Sequence, residues 1–372
     1  MKITGIDPFI MHIPVTGSGI SDSTHSITHW GVVGAQVSTD KGLVGWGFTG
    51  THAFLPGDRL IAACIKDCFA PILIGQPALE INRLWYKIAR DPAMQWIGRA
   101  GITQIALAAI DTALWDLKAK HIELPLWSAL GGSTKDVLPA YNTDIGWLSI
   151  PDDRLVDGAR RVIEQDGFRG IKIKVGSSNP TVDLKRIEKV RAAIGDEVML
   201  AVDGNGKWDL PTCVRFCKQA EAYDLFWFEE PMWYDDVRGH AALAQQTTIP
   251  LALGEQLYHA DAFQQFMDAD AVHYVQPDIT RLGGVSEFLT VADAALSRRL
   301  PIAAHVGDMG QVHVHLAYHH ASCALLEYIP WIKHAFVEPI VVKDGNYLKP
   351  QLPGAGTTPT REALERYARA LQ

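Results

Sequence analysis

Six residues able to bind a metal or move a proton stand near the carboxyl ends of six short apolar stretches in the second half of this 372-residue chain. The stretches are IKIKVG with Lys174, MLAVDGN with Asp203, LFWFEEP with Glu229, PLALGEQ with Glu255, HYVQPD with Asp278 and PIAAHVG with His305. The six residues follow one another at steps of 29, 26, 26, 23 and 27 residues. A buried strand, a helix and two loops occupy about that length, because a parallel crossover takes at least about a dozen residues. The repeat predicts a β/α barrel, whose site-forming residues gather at the carboxyl ends of its strands. One polar strand end is ordinary. Six in register, all of chemically active types, define a candidate site.

Asp203, Glu229 and Glu255 come from three successive strands, so their carboxylates are expected to converge on one side of the barrel mouth. Three like charges so close resist ionising unless a cation lies between them. Carboxylate oxygens suit a hard ion, and Mg²⁺ keeps positions open for water or substrate. The alternative is that each acid pairs with a nearby Arg or Lys. Lys172 and Lys174 flank one isoleucine and therefore point to the same side of their strand, the barrel interior. A desolvated lysine beside another cation is expected to have a lowered pKa, the condition for an amine base near neutrality. Asp278 and His305 end consecutive strands, and a carboxylate that orients an imidazole makes it a competent acid or base. Glu327, ending the eighth strand, is a hydrogen-bond donor if protonated. A lysine base and a histidine base on opposite sides of a metal suit proton removal from the carbon next to a carboxylate, with the metal stabilising the enediolate.

The elements that must position these residues follow from composition and pattern. At 48% hydrophobic residues the chain can fill a barrel core and one further domain. Its net charge of −8, with no Lys/Arg run, excludes the basic surface that a nucleic-acid partner requires. No stretch approaches a membrane span or a signal peptide, so no membrane partner is expected. Five cysteines form no even framework, and a reducing cytoplasm fits them. Cys64 with Cys68 and Cys213 with Cys217 share helix faces and are read as apolar packing.

Residues 2–15 and 31–48 are strand-like, with a hairpin turn at Thr39-Asp40-Lys41-Gly42. Leu107, Ile110, Leu114 and Leu117 mark one apolar face of a helix, and Leu130-Gly131-Gly132 stops the region. The expected organisation is an α+β capping domain over 1–130, a barrel over 131–330 opened by VLPAYN, and a segment over 331–372 that packs back on the cap. In that last segment Asp344-Gly345-Asn346 is the turn of a hairpin. His313, His315, His319 and His320 crowd one helix without the carboxylates a hard metal needs, and read as packed or solvated. Gly283-Gly284 reads as a tight entry into a helix rather than a phosphate cradle. Trp30, Trp46, His52 and Phe54 are placed where the cap could close over a ligand, although hairpin packing explains them equally well.

With these residues in view, the chain resembles the enolase superfamily and, within it, the mandelate racemase-like group, over nearly its whole length. The superfamily's Lys or His base and Mg²⁺-stabilised enediolate are a known pattern. The resemblance implies an α/β fold, a modified (β/α)₇β TIM barrel under an N-terminal α+β capping domain completed by the carboxyl-terminal tail. It implies Asp203, Glu229 and Glu255 as Mg²⁺ ligands, Lys172-Ile173-Lys174 as the Lys-x-Lys motif with Lys174 the base, Asp278 and His305 as the dyad, and Glu327 as the residue that hydrogen-bonds the enediolate. SDSTH at 21–25, GRAGITQIALAAIDTALWDLKAK at 98–120 and the VQPD and HVHL segments look like L-talarate/galactarate dehydratases, which dehydrate acid sugars to 2-keto-3-deoxy products. Thr24-His25 departs from that pattern, where those enzymes usually place a lysine, and is shared in part with anhydro-aldonate cycloisomerases.

The resulting expectation is a cytoplasmic, homo-oligomeric, Mg²⁺-dependent acid-sugar dehydratase, a carbon–oxygen lyase with a small-molecule carboxylate substrate. His25 and Asn205 are its candidate substrate contacts. A cycloisomerase or a racemase/epimerase would use the same enediolate. A non-catalytic relative is disfavoured by the complete ligand and base set.

Overall fold

The computed structural model describes residues 1–15, 19–306 and 310–371; Gly307 of the PIAAHVG stretch lies outside them. Six parallel strands run in sequence order: Leu138–Asn142, Gly170–Lys174, Met199–Asp203, Phe228–Glu229, Leu251–Leu253 and Tyr274–Val275. Leu326–Tyr328 pairs in parallel with Leu138–Asn142. The gap is bridged through Ile302, which pairs with Val275 on one side and Cys323 on the other, so the barrel closes. These strands are short and almost wholly buried, as expected when helices cover the outer face and side chains fill the interior.

The interior layer consists of Tyr141, Ala201, Trp227, Ala252, Ala303 and Leu325. Four of them sit two residues before a polar strand end: Ala201 before Asp203, Trp227 before Glu229, Ala303 before His305, Leu325 before Glu327. Period-two alternation puts each pair on one face, so the apolar layer is the floor on which the polar groups stand. Trp227 anchors it, with ring centroids 5.2 Å from both Tyr141 and Tyr274.

The cap is an antiparallel sheet of Ile3–Pro14, His29–Thr39 and Val44–His52. Its hairpin turns at Asp40-Lys41-Gly42, where Gly42 adopts φ +73° and donates its N–H to the Thr39 carbonyl. The helix Ile102–His121 is buried on almost every side, because the sheet covers one face and the barrel the other. The expected single apolar stripe is therefore only part of its contact surface. Close packing of sheet on helix requires glycine at Gly47, since a Cβ there would lie 2.0 Å from the Ala109 carbonyl oxygen.

The tail divides between the two bodies. Its hairpin, Val342–Lys343 with Asn346–Tyr347, extends the barrel sheet antiparallel to Leu138 and Pro139. Beyond it, Ala368–Arg369 pairs with Ile10 and Met11 at the edge of the cap sheet. Asp116 joins three segments: one carboxylate oxygen accepts from the Trp46 N–H (2.8 Å) and Lys120 Nζ (2.6 Å), and the other from the Ala355 N–H (2.8 Å). Asp116→Ala leaves the Trp46 and Ala355 N–H groups without that acceptor, while Lys120 keeps the Thr358 hydroxyl. It should cost about 2–4 kcal/mol, read as a lower apparent Tm in calorimetry.

Candidate active site

Asp203, Glu229 and Glu255 meet at the barrel mouth, each offering a carboxylate oxygen within 4.8 Å of the others, and all three are buried. Glu229 is fixed from below: one oxygen accepts from Lys172 Nζ (2.5 Å), the other from Gln276 Nε2 (2.7 Å) and Trp227 Nε1 (3.1 Å). Burial pushes its carboxyl up to about 7, against the opposing charge of Lys172. Asp203 accepts the Asn205 N–H (2.9 Å) and Lys174 Nζ (2.5 Å). Glu255 faces His305 Nε2 at 2.9 Å.

Both lysines lie inside the barrel, as the alternation required. Lys172 Nζ also reaches Glu327 at 2.9 Å and Asp203 at 3.5 Å, so it bridges three acids. Lys174 Nζ lies 5.2 Å from the centroid of the Trp147 ring. Burial pulls Lys174 down, but the adjacent Asp203 carboxylate outweighs it and holds the ammonium above its ordinary value. Burial likewise pulls Lys172 down, and Glu229 and Glu327 raise it further than that.

At the other end of the trio, His305 Nδ1 lies 2.7 Å from Asp278 Oδ2. Asp278 Oδ1 accepts the N–H (2.8 Å) and the hydroxyl (2.7 Å) of Thr280, which leaves Oδ2 aimed at the imidazole. Burial opposes protonation of His305, yet Glu255 and Asp278 hold its pKa well above the ordinary histidine value. Glu327 accepts from the Thr143 hydroxyl (2.7 Å) and the Val306 N–H (3.2 Å). Burial pushes Glu327 up, but Lys172 and His305 bring it down to about 2, so in this arrangement it is ionised rather than a donor.

The cap contributes a loop and a strand end. Asp22 closes the loop by accepting the N–H groups of Thr24 and His25, both at 2.6 Å, and pairs with His25 Nδ1 at 3.0 Å. Burial raises Asp22, while His25 and Lys174 outweigh it and bring it to about 2. The hydrogen bond that His25 donates to Asp22 raises its pKa against its partial burial. Ser23 Oγ donates to the Gly204 carbonyl (3.0 Å), docking this loop on the strand end that carries Asp203. Asn205 is buried at φ +46°, and its Oδ1 has no hydrogen-bond partner among the described residues. Of the four cap residues considered from sequence, Trp30 and His52 stack edge-on, and the His52 ring lies 6.4 Å from that of His305. Trp46 packs on Phe9 away from the mouth, and Phe54 is exposed.

Sequence reasoning passed over several neighbours of the site. Gln276 stands two residues before Asp278, and the same alternation could have found it. Glu230 is fully buried at φ +40°, and burial together with Glu255 and Asp203 holds its carboxyl well above the usual range. His313, grouped with three unremarkable histidines, places Nε2 3.2 Å from Asp278 Oδ1 and accepts the Ile279 N–H (3.1 Å). Nothing in the helix sequence separates it from His315, His319 and His320.

A barrel whose strand ends present a buried all-oxygen acidic set between a lysine and an Asp–His pair defines a class of metal-assisted proton-abstraction site. Residues 154–363 match the family model described as Enolase C-terminal domain-like. Residues 6–131 match the Mandelate racemase / muconate lactonizing enzyme, N-terminal domain. The chain belongs to the enolase superfamily, in its mandelate racemase-like group. It is 34% identical to an L-talarate/galactarate dehydratase of Salmonella typhimurium over 337 residues, 91% of this chain and 82% of that one. It is 31% identical over 352 residues to a 3,6-anhydro-alpha-L-galactonate cycloisomerase of Streptomyces coelicolor, covering 94% and 95% of the two chains. The crystal structure of an L-talarate dehydratase from Polaromonas sp. JS666, complexed with Mg and L-glucarate, superposes with a TM-score of 0.89 at 35% identity, covering 99% and 98% of the chains.

The acidic trio suits Mg²⁺ on this structure's own terms. Its donors are all oxygen, and their 4.8 Å spread is one that a small hard cation at about 2.1 Å from each oxygen spans with little movement. Mg²⁺ added to chelator-treated protein should therefore raise the apparent Tm, and Glu229→Gln should remove most of that rise. An equal rise in wild type and variant would exclude the trio as the binding set.

Proposed function

We propose that this chain is a Mg²⁺-dependent acid-sugar dehydratase, converting a galactarate- or talarate-like substrate to a 2-keto-3-deoxy acid sugar. One observation carries the reading: Lys174 sits against Asp203 at one end of the carboxylate trio, and the Asp278–His305 pair meets Glu255 at the other. Two proton-transfer groups flanking one oxygen-lined cation set suit removal of a proton next to a carboxylate. The similarity to the talarate/galactarate dehydratase supports the substrate class.

In this reading Asp203, Glu229 and Glu255 hold the ion. Mg²⁺ bound there would draw on the Asp203 charge that holds Lys174 protonated and would offset the negative charge gathering on the substrate carboxylate. Lys174 or His305, according to the configuration at C2, takes the C2 proton, and the electron pair moves into the enediolate. His305, oriented by Asp278, then gives a proton to the departing 3-hydroxyl. Water leaves, C2 and C3 become doubly bonded, and the enol ketonises. Lys172 keeps a fixed positive charge beneath the reacting carboxylate. Glu327 would donate to the enediolate only when carrying a proton, which the Lys172 charge opposes.

Asn205 Oδ1, buried and without a hydrogen-bond partner among the described residues, supports a substrate contact beside Asp203, and His25 supports a contact from the cap. In the same reading residues 1–130 choose the substrate, 131–330 carry the proton transfers and 331–372 join the two. The five cysteines, all free of disulfides, support a cytoplasmic location. Trp96 and Ile97, exposed on the cap, support a homo-oligomer. No helix of the described residues is long and apolar enough to cross a membrane. The cycloisomerase similarity favours one second reading, ring opening of an anhydro-aldonate through the same enediolate. Product mass decides between them, since dehydration loses a water and ring opening leaves the mass unchanged.

General acid–base groups contribute about 10²–10⁴-fold, so Lys174→Ala and His305→Asn should each lose at least that in keto acid formation. In D₂O, if Lys174 is the base, His305→Asn should still exchange the C2 proton and Lys174→Ala should not; the opposite configuration reverses the two. Activity at the wild-type level in either variant removes that residue from the mechanism. His25→Ala should change kcat/KM unequally among acid sugars and leave Mg²⁺ affinity unaltered. A uniform loss across substrates counts against a role in selection.

A further inference from the structure

We infer that Thr49, a cap residue, is a positioning residue for the Asp278–His305 pair, so that the cap helps set proton-transfer geometry as well as choosing the substrate. The inference rests on the role proposed above for His305. Thr49 lies on the strand Val44–His52, fully buried, and its hydroxyl donates to the Thr280 carbonyl at 2.5 Å. Thr280 donates both its N–H and its hydroxyl to Asp278 Oδ1, and Asp278 Oδ2 faces His305 Nδ1. Thr49, through the backbone of Thr280, is thus linked to Asp278 and His305, a path from the cap sheet to the imidazole.

The path matters because of what Thr280 belongs to. It sits in a helix of four residues, Ile279–Leu282, which can satisfy few of its own carbonyls. The cap supplies the missing donors. Besides Thr49 on the Thr280 carbonyl, Gln104 Nε2 donates to the Leu282 carbonyl (2.8 Å) and Trp85 Nε1 to the Gly283 carbonyl (3.0 Å). Asp111 accepts both the N–H (2.8 Å) and the hydroxyl (2.7 Å) of Ser286. Gly284, at φ +93°, permits this approach, since a Cβ there would lie 2.6 Å from Asp111 Oδ2. Among these contacts Thr49 is distinct, because the residue it grips donates two hydrogen bonds to the Asp278 carboxylate. Without its hydroxyl the Thr280 carbonyl loses that donor, and a shift of the short helix to compensate moves the groups that hold Asp278.

Thr49→Val keeps the shape and removes the donor. It should lower kcat for keto acid formation by about tenfold, through displacement of a catalytic group, with KM changed by less than about twofold. Thr49→Ser, which keeps the hydroxyl, should restore kcat. A second readout does not depend on turnover: the low-field N–H proton of His305 bonded to Asp278, identified by its loss in His305→Asn, should shift in Thr49→Val and stay in place in Thr49→Ser. Wild-type kcat in Thr49→Val, or an unshifted resonance, overturns the inference. If the wild-type enzyme forms no product from any acid sugar, the proposed function fails and the resonance alone decides the positioning role. Should Thr49→Val not fold, Thr280→Val, which removes the hydroxyl bond to Asp278 Oδ1, is read by the same criteria.

Discussion

Three carboxylates within 4.8 Å of one another, buried at a barrel mouth, are the constraint to which the surrounding structure responds. At that separation each pair of like charges repels by about 3 kcal/mol at an effective dielectric of about 20. The positive groups are distributed accordingly. Lys172 lies beneath Glu229 and Glu327, Lys174 beside Asp203, and His305 beside Glu255. Donors that cannot titrate, Trp227 Nε1 and Gln276 Nε2, take up the oxygen of Glu229 that the lysine does not reach. The apolar interior layer has a matching task, since it fixes the height at which all these charges emerge.

The strand-end residues were legible in the sequence because barrel strands are buried on both faces and repeat at one crossover length. A polar residue ending such a run has nowhere to go but the mouth. Spacing could not reveal what depends on distance. The proximity of Lys174 to Asp203, whose charge raises the lysine pKa, is a matter of 2.5 Å. Glu230 was hidden by its neighbour: two adjacent acids look equivalent in a string, and only the left-handed turn at φ +40° buries the second as well. His313 was hidden among histidines of the same helix. The tail's hairpin was readable from its turn residues, whereas its pairing with the first barrel strand was not, because the choice of sheet edge is made by the tertiary structure.

Cap and barrel are often regarded as separable, one for recognition and one for chemistry. Here the cap helix and sheet supply hydrogen bonds to the short helix after the sixth strand, and His52 from the same cap strand as Thr49 stands against His305. Burial holds the His52 imidazole down to about 3, with the Arg281 charge acting in the same direction, so His52 stands neutral beside His305. One cap strand therefore carries both a donor to that short helix and a ring against His305.

The pairing of Ala368–Arg369 with Ile10 and Met11 gives the cap a particular history during synthesis. The edge of its sheet is made before the barrel, and the strand that covers it after the barrel. Throughout translation of the barrel that edge is exposed to any other extended segment, including the same edge of a neighbouring nascent chain. Completion of the cap thus has to follow synthesis of the barrel, and a graft exchanging caps between relatives has to carry segments from both sides of the barrel.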